Sequence, residues 1–198
     1  MTPANLAPAV LLTFLFFAGL QPSTAESPSC GEKLTPGDRQ HCEEMVAHQA
    51  QAGTHTSQLP GGWRLVRTPD PRGGPDAVSV LHAADTARSD LNLAGLTLRC
   101  SQTSVETLLV VLEPLVRGSQ YGVLVKSGSA EARFEARALQ GGELLLLPAG
   151  ATALAGGAWQ REPELSIDIA TPSPIHGYVP LGGLSSAMQA LSQNCPTH

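Results

Sequence analysis

Between residues 62 and 181 apolar positions recur mostly with a period of two, and only beyond them does the spacing become that of a helix. Leu96, Leu98 and Cys100 fall on one side of a strand, with Thr97 and Arg99 on the other. That is the alternation of a half-buried strand. The run 105–112 is nearly continuous in apolar and β-branched residues, which predicts a strand covered on both faces, with 101–104 turning between the two. The cleanest alternation comes later. Glu131, Arg133, Glu135 and Arg137 face one way and Ala132, Phe134, Ala136 and Ala138 the other, predicting an antiparallel strand whose charged face is solvated. Further strands are predicted at 63–67, with Trp63 as a large core residue, and at 77–83, 121–126, 143–147, 165–169 and 175–181. Pro- and Gly-rich turns separate them. Residues 149–158 are small and interrupted by glycine, predicting a short helix or loop. After Gly182-Gly183 a stripe of Leu184, Ala187, Met188, Leu191 and Cys195 has helical spacing, suited to core packing. The fold predicted over 62–198 is mainly β: an antiparallel β-sandwich of about eight strands closed by a C-terminal helix.

The N-terminus reads differently. Residues 7–20 are almost wholly apolar, and Pro22 then precedes the small residues Ser23-Thr24-Ala25. This predicts a signal peptide over 1–25, cleaved after Ala25. The run is short and lacks a basic flank, so membrane association is expected only if the signal stays uncleaved. The mature protein is then periplasmic or secreted. Residues 26–51 predict a small helical unit, with Thr35 as cap, Pro36 at the first helical position and Asp38 at the positive helix end. Its apolar side (Met45, Val46, Ala47) is thin, so it needs a disulfide or a neighbour. Residues 52–61 read as a polar linker.

The four cysteines, Cys30, Cys42, Cys100 and Cys195, all lie beyond the signal. An even count in an exported chain points to disulfides. Three pairings are possible. The preferred one is Cys30–Cys42 with Cys100–Cys195, because it ties the N-terminal unit to itself and the sheet to the C-terminal helix. No CxxC or HxxxH spacing supports a metal site, and no metal or cofactor is expected. The net charge of −5 comes with no basic cluster, and aromatic residues make up 4% of the chain. These argue against nucleic acid as a partner, through both the phosphate and the base-stacking routes.

No GxSxG, HExxH or Walker pattern occurs. No lysine stands after Ser185-Ser186 to activate a hydroxyl, and Glu43-Glu44 sits on an exposed helix. His41, Glu44 and His48 share one helical face, which reads as solvated rather than metal-binding. His82, alone near a strand end, reads as structural or solvated rather than as a ligand. No catalytic residue is expected, and the chain is read as non-enzymatic.

The order of these marks resembles the TagO/VasI family, exported accessory proteins associated with bacterial type VI secretion. Cys30, Arg39 and Cys42 match the start of the family pattern, although Gln40-His41 and Glu43-Glu44 depart from it at the adjoining positions. Gly62-Trp63, Asp70-Pro71 and 96–100 match its tryptophan strand, turn and cysteine-ended strand. Val179, Leu181, Gly183-Leu184, Ala187 or Ala190, Leu191 and Cys195 match its end. The resemblance implies an exported β-rich protein acting through protein–protein contacts with envelope or secretion-system components, and it supports the same cysteine pairing. The competing expectation is a small-molecule or glycan-binding envelope protein.

Overall fold

The computed structural model describes residues 35, 37–42, 44–45, 53–101, 104–139 and 141–195. Where the sequence alternates, the chain pairs. Strands β1 (His55–Gln58), β2 (Arg64–Thr68), β3 (Ala77–Ala83), β4 (Leu93–Cys100) and β5 (Val105–Val111) succeed one another as an antiparallel meander. Strands β6 (Gln120–Ser127) and β7 (Ala130–Ala138) form a hairpin. The short β8 (Leu144–Leu146) joins β7 to β5, and β9 (Glu164–Ile169) and β10 (Ile175–Pro180) extend the sheet beyond β6. The order is β1-β2-β3-β4-β5-β8-β7-β6-β9-β10.

This corrects two expectations. Among the described residues the strands number ten rather than about eight, and each bonds to the next in one continuous sheet rather than two. Residues 55–58, expected as linker, form β1. Pairing at a sheet edge requires a free backbone but no apolar face, and all four of its residues are exposed. The sheet bends back on itself, so that β10 lies against β3 and β4. A bulge in β4 between Leu93 and Gly95 contributes a kink there. A Cβ at Gly95 would overlap the carbonyl oxygen of His82, so the bulge requires glycine.

The loop between β3 and β4 seals the β10 edge in place of an eleventh strand. Asp85 N–H donates to the Tyr178 carbonyl and Asp90 N–H to that of His176, each at 2.8 Å. In return Tyr178 N–H donates to Ser89 Oγ at 2.9 Å and His176 N–H to an Asp90 carboxylate oxygen at 2.7 Å. An edge covered in this way offers no free ladder for aggregation.

One core fills the bend, from Val80, Leu96 and Leu98 on one side to Val123, Val125, Ile167 and Ile169 on the other. Helix α1 (Ala149–Ala155) packs on β5, where the buried Thr107 hydroxyl meets Thr152 Oγ1 at 2.8 Å. Helix α2 (Leu184–Asn194) packs across β2, β3 and β4, burying Leu184, Ala187 and Leu191. Trp63 is fully buried, as expected, and its indole N–H donates to the Gly182 carbonyl at 3.1 Å, just ahead of α2. The expected bond between Cys100 and Cys195 is present, with a Cα–Cα distance of 5.6 Å.

In the expected N-terminal unit, residues 37–42 and 44–45 are described and are helical. Thr35 Oγ1 accepts the Asp38 N–H at 3.3 Å. Cys42 is disulfide-bonded. Its expected partner Cys30, His48 and the expected signal at 1–25 lie outside the described residues.

Candidate functional site

Antiparallel register sets rows of outward side chains across β7, β6, β9 and β10, above the buried Val123, Val125, Ile167 and Ile169. In one row Arg133 stands opposite Leu124, Leu124 opposite Asp168, and Asp168 opposite His176. Alongside run Glu131, Lys126, Ser166 and Tyr178. Side chains directly opposed on one face lie close enough to interact, and several do. His176 Nδ1 lies 2.6 Å from Asp168 Oδ1. An ionised carboxylate can only accept, so Nδ1 carries the proton. The His176 ring meets Tyr178 edge to face with centroids 5.0 Å apart.

Arg88, on the loop that seals β10, clasps this face from its end. It donates to both Glu164 oxygens at 2.6 and 2.9 Å, and its guanidinium carbon lies 4.0 Å from the centre of the Tyr178 ring. The hydrogen bonds from Arg88 hold the Glu164 carboxyl below the usual carboxylate range, and the same bonds raise Arg88 above its ordinary value. Paired forks of this kind fix geometry as well as charge.

Beside the row is an open depression of about 360 Å³. It forms where β6 carries Gly122, so that no side chain fills the space between Glu135 and Ala170. Leu124, Pro174 and Ala170 line it with apolar surface, and Arg133, Glu135 and Asp168 are its charged groups. Arg133 donates to Glu131 at 3.0 Å. Among the described residues Glu135 has no hydrogen-bond or ion-pair partner.

A third feature stands at the end of the sheet where β4 begins and β5 ends. Leu91, Leu112 and Val116 are large apolar residues exposed by 80%, 63% and 70%. The backbones of Leu112 and Val116 are pinned. Asn92 Oδ1 accepts the N–H groups of Leu112 at 3.0 Å and Glu113 at 2.6 Å, and the Tyr121 hydroxyl accepts that of Val116 at 3.1 Å.

The residues singled out in the sequence lie elsewhere. His41 and Glu44 are exposed, and among the described residues no three His, Cys, Asp or Glu groups are placed to hold a metal. His82 is structural: its ring nitrogens lie 2.7 Å from the Ala83 carbonyl oxygen and 2.8 Å from that of Gly61, and its ring packs against Trp63. Glu131, Arg133, Glu135 and Arg137 are exposed as expected. The Asp168–His176 pair was missed. Its signal was available, because strands at 165–169 and 175–181 around the turn at 172–174 put residues 168 and 176 opposite each other. The pair orients an imidazole, but among the described residues no hydroxyl or thiol bonds to its Nε2. Among the described residues no helix is long and apolar enough to cross a membrane.

No family model and no curated protein matches the chain. Among solved structures it is similar to invasion associated protein B from Bartonella henselae, at 15% identity and a TM-score of 0.43, over 70% of this chain and 96% of that one.

Proposed function

We propose that this chain is an exported envelope protein working through contact with another protein, in the manner implied by its resemblance to the type VI secretion-associated TagO/VasI proteins. The observation that carries the reading is the apolar trio Leu91, Leu112 and Val116. Isolated exposed leucines are ordinary, but three large apolar side chains this exposed, in the loops before β4 and after β5, are candidates for association. Here Leu112 and Val116 stand on backbone already bonded to Asn92 and Tyr121. Apolar side chains on hydrogen-bonded backbone lose less conformational entropy on docking than those on free loops, which is how a small contact gains affinity. The Cys100–Cys195 bond fits a non-cytoplasmic compartment, where such bonds persist.

A photo-crosslinking residue at position 112, with a control at the exposed Asp76, tests this in cells. The reading expects an adduct from position 112 containing an envelope or secretion-system protein. Leu91→Ser together with Val116→Ser should remove it while leaving the melting temperature unchanged. Equal labelling from positions 112 and 76, or an adduct indifferent to the two serines, contradicts it.

A further inference from the structure

We infer that the depression at Gly122 is a carbohydrate subsite for a single neutral pyranose ring. Its volume, about 360 Å³, is at the small end of ligand sites. The backbone of Gly122 and the side chains of Leu124, Ala170 and Pro174 give it an apolar surface, and groups of both hydrogen-bonding senses stand around that surface. Glu135 is an acceptor without a partner among the described residues. Asp168 uses Oδ1 for His176, leaving Oδ2. Arg133 uses one terminal nitrogen for Glu131, leaving further N–H donors.

Each class of ligand would leave different groups unsatisfied, and that decides the chemistry. An apolar ligand would strip water from three charged groups and give nothing back. An anion would face two carboxylates. A cation would face Arg133, held across Leu124 from Asp168. A neutral polyhydroxylated ring can donate to Glu135 and Asp168, accept from Arg133, and lay its C–H face on Leu124 and Pro174. Gly122, Leu124, Arg133, Glu135 and Asp168 sit on paired strands, while Ala170 and Pro174 belong to the turn between β9 and β10.

Gly122 makes the inference testable without disturbing the fold. A Cβ placed there would lie 3.7 Å from the Ala170 Cβ and 3.9 Å from Glu135 Oε1, in ordinary contact and with no backbone strain. A larger side chain would occupy the cup. Titration of the 15N-labelled chain with methyl β-glucoside, methyl α-mannoside and N-acetylglucosamine, with putrescine as the cationic control, reads the site directly. At least one sugar should shift the Gly122, Leu124 and Ala170 amides with Kd in the ~1–50 mM range of a small ligand on an open surface. Glu135→Gln should weaken binding several-fold. Gly122→Leu should abolish it, and Gly122→Ala, which must keep the wild-type spectrum elsewhere, should reduce it. Absence of shifts at those amides with all three sugars, shifts that survive Gly122→Leu, or a response to putrescine alone each overturns the inference.

Discussion

Strands β2–β4 and strands β6, β9 and β10 share one sheet and one core, yet they are held in different ways. Over β2–β4 lies α2, an eleven-residue helix too short to persist alone in water. It is held by its buried Leu184 and Leu191, each worth about 1.5–3 kcal/mol on full burial. The indole of Trp63 is bonded just ahead of its start, and Cys195 is fixed to the end of β4. Arg67 adds a contact from β2 to Asn194. Among the described residues the outward face of β6, β9 and β10 has no such cover. Its side chains pair across strands, and its free edge is sealed by a loop pinned through Arg88, Ser89 and Asp90. The first region keeps the fold closed. The second leaves a surface on which charged and apolar groups stand side by side around the depression at Gly122.

The largest expected effect breaks the first region. The 100–195 bond spans a sequence separation of 95. Replacing both cysteines by alanine should therefore lower stability by about 4–5 kcal/mol in the chain-entropy account, read by denaturant unfolding. Next comes the joint between the two regions on β5. Thr152→Ala leaves the wholly buried Thr107 hydroxyl without its partner and should cost about 1–3 kcal/mol. Adding Thr107→Val should recover part of that loss, because no polar group is then stranded.

The smallest effect belongs to the exposed clasp. Glu164 has a lowered pKa in the folded state, caused first by its hydrogen bonds from Arg88. The clasp therefore contributes stability above the ordinary carboxylate range, and that contribution is lost as pH falls through the folded-state value. Melting temperatures measured across pH 7 to 2 should show a smaller acid-side decline for Glu164→Gln than for the wild type. The difference should be modest, because solvent screens surface pairs.

Much of this was legible in the sequence because it is local. The alternation at 131–138 predicts which side chains of β7 face water, and the stripe from Leu184 to Cys195 predicts a helix seated on the core. Trp63 is large and apolar at the start of a strand, and it is buried. What was not legible is non-local. Period-two patterning gives each strand an inner and an outer face but does not name its neighbour. Nothing in 144–146 or 164–169 says that these strands bond to β5 and β6, so one bent sheet could not be told from two. Strand β1 is polar throughout and carries no face signal at all. The Gly122 depression arises from a missing side chain between residues on three strands, and it becomes visible only once β7, β6 and β9 are in register.

The division of labour between the two regions is tested most directly by hydrogen exchange on the intact chain before and after reduction of its disulfides. If α2 holds only its own half of the sheet, reduction should raise exchange in α2, β2, β3 and β4 while β6, β7 and β9 keep their protection. A rise spread evenly over all ten strands, or confined to α2 alone, would contradict it.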